Sequence, residues 1–343
     1  MVDVARSMAV GSLPQKDPHA AWELFLRYTP ETLAWPQLPR RDPREDMFAQ
    51  FTEGLPALLP GPGRRADTSW EALGPALEDF YERYLAAQAD DEVALDSFRI
   101  SREHAAGLHL LLDSPLPSTV TELKGQITGP LSLGLALQDQ ESRAAYYHEA
   151  LHDALVKGLA MKARWQAKRL SERGLPAIVF VDEPSLAYYG AAAFATLDGP
   201  RIVRDLNEVV DAIHAAGARA GIHCCANTDG SLAMATAADL LHFDVYDYPE
   251  NLLLYPKELE AFLARGGTIS WGVVPNRLTE DDPTALARRL AELREHLARL
   301  GVPSPALQPV YVSTSCGLGS LREEEAAPVL ALAQELARSL GKV

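Results

Sequence analysis

A histidine and two cysteines stand almost side by side in the stretch 221–229, GIHCCANTD, and their types and spacing suit metal coordination. His223 and Cys225 are one residue apart, so at the end of a β-strand, where side chains alternate, they project to the same side and can share an ion. The same alternation turns Cys224 away. The remaining cysteine, Cys316, follows the apolar-rich run 310–312 in STSCGLGS, at the end of another predicted strand. Asp244 closes LLHFD between them and is a candidate carboxylate ligand. One imidazole, two thiolates and one carboxylate form a set that suits Zn2+. The competing reading takes the cysteines as small buried apolar residues and the histidine as merely hydrogen-bonded. All three cysteines fall at predicted strand C-termini, which favours the metal.

A chain of 343 residues, 47% hydrophobic and 23% charged, can bury a large core as one α/β domain or two smaller ones. Its formal net charge of -15 argues against nucleic acid or an anionic membrane as the main partner, since both require a basic face. A small molecule or another protein is expected instead. An odd number of cysteines, two of them adjacent, makes a poor disulfide framework, and no apolar N-terminal stretch resembles a signal peptide. The reducing cytoplasm is the expected location, where thiolates remain available as ligands.

The elements that must position these residues alternate regularly. Strands are predicted at 8–10, 33–35, 120–127, 177–182, 218–223, 240–244, 268–274 and 309–312. AIVFVDEP holds the cleanest of them, a continuous β-branched and aromatic run stopped by Asp182, Glu183 and a proline. Between the strands lie helical patterns, among them one opened by Asp17, one over Met47, Phe48, Phe51 and Leu55, and others at 70–88, 101–112, 143–173, 203–215, 232–238, 256–264, 283–300 and 321–340. The segment 60–118, entered through LPGPGRRADTS, reads as a helical and loop excursion within one domain. Eight strands with intervening helices predict a single α/β domain, a (β/α)8 TIM barrel spanning 1–343, with a doubly wound open sheet as the alternative. In the barrel Ser12, Asp182, His223, Cys225, Asp244 and Cys316 all fall at or just after strand C-termini, the face on which barrel active sites are built. Phosphate-loop and nucleophile-elbow chemistry is excluded. GPG at Gly61 lacks the lysine, GLGS at Gly317 has no dinucleotide fingerprint, and no serine sits in a strained strand-to-helix elbow.

Five motifs, GSLPQ at 11–15, KGQITGP at 124–130, VDEP at 181–184, HCC at 223–225 and SCGLG at 315–319, occur in that order over nearly the whole chain. Together they resemble the catalytic C-terminal barrel of cobalamin-independent methionine synthase. The resemblance implies a zinc ion that binds the homocysteine thiolate and presents it to a methyl donor. It assigns His223, Cys225 and Cys316 as ligands and sets Asp244 where the family has a glutamate, one methylene longer. It further assigns Asp182 to the substrate amino group and Ser12 to the substrate carboxylate. Two departures concern the donor. The full-length family carries an additional N-terminal barrel that helps form its folate site, and this chain begins at the catalytic barrel. The family also places a proton-donating histidine just before its SPN turn, where WGVVPN here has Val273. A folate must have its departing nitrogen protonated, whereas a methylcorrinoid needs no such acid. The short single-barrel form therefore implies a methylcorrinoid or corrinoid protein as donor, unless Glu183 or His242 supplies an acid from another strand.

Two other classes make different demands. A metal-free decarboxylase of the uroporphyrinogen decarboxylase kind would offer arginines to substrate carboxylates, and Arg40, Arg41 and Arg44 lie near a strand end. A non-catalytic zinc-binding module would close its ion with four protein ligands.

Overall fold

The computed structural model describes residues 5–59 and 64–341; the GPG turn at Gly61 and the first residues of the 60–118 excursion lie outside the described residues. Eight parallel strands are seen: β1 Arg6–Ser7, β2 Thr32–Ala34, β3 Glu122–Thr128, β4 Ala177–Asp182, β5 Arg219–Cys224, β6 Leu240–Asp244, β7 Thr268–Val274 and β8 Tyr311–Thr314. They pair in the order β1-β8-β7-β6-β5-β4-β3-β2, and an isolated parallel bridge from Met8 to Thr32 brings the two ends of the sheet together. This is the expected (β/α)8 barrel.

Helices α1 Pro18–Tyr28, α2 Trp70–Gln88, α3 Glu92–Asp96, α4 Ala106–Asp113, α5 Pro130–Ala136, α6 Glu149–Ser171, α7 Gly199–Ala215, α8 Gly230–Met234, α9 Glu250–Leu253, α10 Pro256–Ala264, α11 Pro283–Arg299 and α12 Glu323–Leu340 complete the chain. Their starts follow local chemistry. The Asp17 carboxylate accepts from the His19 amide at 3.0 Å with Pro18 in the first turn, and Asp198 caps α7 through the Arg201 amide. α7 then buries Ile202, Leu206, Val209, Val210 and Ile213, one face at helical spacing. Each such aliphatic contributes about 1.5–3 kcal/mol on burial. Among the described residues no helix is long and apolar enough to cross a membrane.

Several predicted boundaries move. The spacing of Met47, Phe48, Phe51 and Leu55 does not produce an α-helix; only a 3-10 turn at Ala49–Phe51 forms. There Gln50 is buried and exchanges side-chain hydrogen bonds with Gln37 and the His104 carbonyl, and Gly54, at φ 74°, reverses the chain before Pro56. The pattern at 143–173 becomes a 3-10 turn at Ala145–Tyr147 followed by α6, because the His148 side chain caps the Leu151 amide. β8 begins two residues later than expected, at Tyr311, where pairing with Ser270 and Arg6 starts.

Most of the apolar core lies between sheet and helices, while Met8, Ile178, Phe180, Leu240 and Tyr311 form a smaller cluster within the barrel. Beneath it, Glu122 is paired with Arg219 and accepts from Tyr311 Oη at 2.9 Å. Above it the interior becomes polar. Lys124 is fully buried, donates to the Val10 carbonyl at 2.6 Å and lies 4.8 Å from the Phe180 ring centre.

Candidate metal centre

Parallel register sets the site residues side by side. Asp182 on β4 pairs with His223 on β5, which pairs with His242 on β6. Cys225 follows the last residue of β5, and Cys316 lies just past β8. The ligand atoms of His223, Cys225 and Cys316 all lie within 4.8 Å of one another, with His223 Nε2 4.0 Å from Cys316 Sγ. Cys224 faces the opposite way into the apolar core at 1% exposure, and burial pushes its thiol up to about 12. Alternation along β5 thus turns Cys224 into the core and Cys225 toward the cluster.

The two remaining thiols act on each other. A hydrogen bond with Cys316 draws the Cys225 thiol down, and the same contact pushes Cys316 up, so the two sulfurs do not ionise alike. A divalent cation between them would stabilise both thiolates together. His223 Nδ1 lies 2.6 Å from His242 Nδ1, and His242 Nε2 lies 3.0 Å from the Thr314 carbonyl. Burial depresses both imidazoles, His223 far below its usual range and His242 to about 3, so both are neutral. A neutral imidazole is the form that ligates a metal.

Asp244 is not brought into the three-residue cluster. Its Oδ1 accepts from the Tyr246 amide at 3.0 Å and the Asp247 amide at 2.9 Å, and so closes the turn after β6. Arg277 forks onto Asp247 with two bonds of 2.8 Å, and both Arg277 and Arg289 lie over the Tyr246 ring, which holds that turn in place. Burial raises the Asp244 carboxyl to about 6.

A cavity of about 340 Å3 opens above the cluster, and Ser12, Asp182, His223, Cys225 and Cys316 all line it. Oδ1 of Asp182 is buried without a hydrogen-bond partner among the described residues. Burial raises its carboxyl and the nearby Lys124 ammonium opposes the shift. Ser12 Oγ accepts from the Gly319 amide at 3.3 Å, and the Ser12 carbonyl accepts from Leu318 at 2.9 Å, so the turns after β1 and β8 are tied together. Gly11, at φ 142°, makes the first of these turns where a β-carbon would stand 2.8 Å from Gln126. Glu183, beside Asp182, is fully committed elsewhere. Its carboxylate accepts from the Leu131 and Ser132 amides at 3.0 and 2.7 Å and from the Ser132 hydroxyl, which fastens the start of α5. Neither Glu183 nor His242 lines the cavity.

Asn276, Asp46 and Met47 also line the cavity but were not singled out for the site: Asn276 ends the WGVVPN stretch, Met47 reads as part of a helical pattern, and nothing local marks Asp46. Lys124 did leave a signal, a lysine inside the strand motif KGQITGP. Val273 is buried in the helix-facing core where the β7–β8 register shifts, and is not among the cavity-lining residues. The three arginines are engaged: Arg40 donates to the Ser320 carbonyl at 2.7 Å, Arg41 pairs with Glu45 and Arg44 forks onto Asp42. None of them lines the cavity.

Fold and cluster together define a (β/α)8 barrel with a candidate transition-metal centre at its C-terminal mouth. No family model matches the chain, and no curated protein matches it. Among solved structures it is similar to the crystal structure of a provisionally named vitamin-B12-independent methionine synthase from Listeria monocytogenes, at 16% sequence identity and a TM-score of 0.42. That likeness covers 64% of this chain and 64% of the other.

Proposed function

We propose that this chain is a zinc-dependent thiol methyltransferase that makes methionine from homocysteine, with a methylcorrinoid or corrinoid protein as methyl donor. The observation that carries the reading is the convergence of His223, Cys225 and Cys316 on the floor of a cavity that Asp182 and Ser12 also line. Three protein ligands with room beside them match a catalytic zinc centre, in which one position is left for water or substrate, better than a closed four-ligand structural site. A zinc ion held there would keep a thiol deprotonated yet nucleophilic at neutral pH.

The chain's own residues would orient that thiol. Asp182, whose buried Oδ1 has no partner among the described residues, suits an ammonium, and the Ser12 hydroxyl suits a carboxylate. Together they would recognise the α-amino acid end and leave the sulfur over the cluster. In such a transfer the thiol sulfur would form its bond to the methyl group as the cobalt–carbon bond broke with its electron pair left on cobalt, and the thiol proton would go to solvent. No general acid is needed at the donor, and the two acids considered, Glu183 and His242, are both held away from the cavity.

Purified protein, zinc and homocysteine mixed with either methylcobalamin or methyltetrahydrofolate, with methionine measured by mass spectrometry, tests both halves. Turnover is expected with the corrinoid. With the folate a reaction slower by about 10^2- to 10^4-fold is expected, the usual worth of the missing acid. Methionine from the folate alone would overturn the donor, and none from either would overturn the activity.

A further inference from the structure

We infer that His242 is a positioning residue that sets the tautomer of His223, leaving His223 Nε2 as the bare lone pair facing the two thiols. The consequence for metal binding rests on the zinc reading above; the hydrogen-bond chain itself does not.

Proton accounting along three groups leads there. The Thr314 carbonyl can only accept, so the 3.0 Å contact requires the proton on His242 Nε2. A neutral imidazole has one N–H, so His242 Nδ1 is an acceptor. The 2.6 Å contact between the two Nδ1 atoms then requires that His223 carry its proton on Nδ1. Nε2 of His223, 4.0 Å from Cys316 Sγ, is left without a proton. The reverse arrangement needs a doubly protonated His242. That ring is 2% exposed inside the barrel and its nitrogens meet a second imidazole and a neutral carbonyl, surroundings that do not favour a second positive charge.

Packing holds the chain in this orientation. The two rings meet at 66° with centroids 4.4 Å apart. Gly272 on β7, opposite Asp244, leaves the space that His242 fills: a β-carbon there would stand 2.9 Å from its Cε1 and 3.2 Å from its Nε2. Thr314 Oγ1 donates to the Cys316 carbonyl at 2.7 Å, so the residue that anchors His242 also anchors the turn carrying a candidate ligand. Partners of this kind, which hold a ligating histidine in one tautomer, typically change metal affinity by about 10- to 100-fold when removed.

The test has two readouts. In zinc-free, 15N-labelled protein, long-range proton–nitrogen spectra are expected to show His242 protonated at Nε2 and His223 at Nδ1; a wild-type His223 protonated at Nε2 overturns the inference, whether or not zinc binds. In chelator competition, His242→Leu is expected to weaken zinc binding by about 10- to 100-fold. His242→Asn places an acceptor oxygen near the position of Nδ1 and is expected to recover most of the affinity. His242→Gln places its amide nearer Nε2, lacks that acceptor and is expected to recover little. A folded Leu variant with wild-type affinity, or Asn and Gln variants equally impaired, overturns the inference. A wild-type protein that binds no zinc overturns the zinc reading alone, and the spectra still decide the tautomer.

Discussion

Gly317 and Ser12 touch without a side chain between them: a β-carbon at position 317 would stand 2.1 Å from Ser12 Oγ. The glycine of the CGLG motif therefore serves close approach, allowing the turn after β8 to press onto the turn after β1. Gly317→Ala is expected to displace the Ser12 hydroxyl while leaving the cluster intact. Since a shift of about 1 Å in a positioning group can cost on the order of 10^2-fold in rate, kcat/KM for homocysteine should fall by roughly that factor with zinc content unchanged. Steady-state kinetics beside elemental analysis would check this. A variant with full activity would mean that Ser12 does not position the substrate.

About one zinc per chain is expected in protein reconstituted with the metal and dialysed. Cys316→Ser should lower that content sharply, because a hydroxyl is a poor replacement for a thiolate. Asp244→Ala should leave it unchanged, since the carboxylate is occupied by the Tyr246 and Asp247 amides. Loss of zinc in the Asp244 variant comparable to that of the Cys316 variant would show that the turn rearranges to bring the carboxylate onto the ion.

Asp182→Asn removes a charge without changing shape. A hydrogen bond to a charged group is worth about 1.5–3 kcal/mol, so kcat/KM for homocysteine should fall by roughly 10- to 100-fold. The same substitution should cost far less with a thiol that lacks the amino group. Equal losses with both thiols would contradict an ammonium partner for Asp182.

Far from the site, Lys162 on α6 is fully buried and, among the described residues, donates only to the Arg99 carbonyl at 3.4 Å. Burial lowers its ammonium to about 8. The unfolded chain therefore binds more protons between that value and the ordinary lysine range, and stability should rise as pH increases from about 8 to about 10.4. Lys162→Met is expected to reduce that rise, leaving the share of buried Lys124, whose ammonium burial also lowers to about 8, and to stabilise the protein at pH 7 by about 1–3 kcal/mol. Urea midpoints of both proteins at pH 7 and pH 10 give the comparison, and a lower midpoint for the variant at pH 7 would show that the ammonium is better solvated than its burial implies.

Whatever depends on periodicity within one segment was legible in the chain alone. Strand–helix alternation implied the barrel, and the two-residue repeat of a strand put His223 and Cys225 on one side and Cys224 in the core. Strand-end positions placed Ser12, Asp182 and Cys316 at a common mouth, and all three line the same cavity. Register and partner choice were decided only in three dimensions. The pairing of β5 with β6 sets His242 against His223, and closure of β8 brings Cys316 across 93 residues to within 4.0 Å of that histidine. Asp244 and Glu183, both acids at strand ends, were captured by nearby backbone amides, one closing a turn and the other starting a helix. Met47–Leu55 kept helical spacing but no α-helix, because buried Gln50 found its partners outside the segment. A side chain's type and its place on a strand are local properties. The donors that reach it depend on how neighbouring strands align, and only the closed barrel sets that alignment.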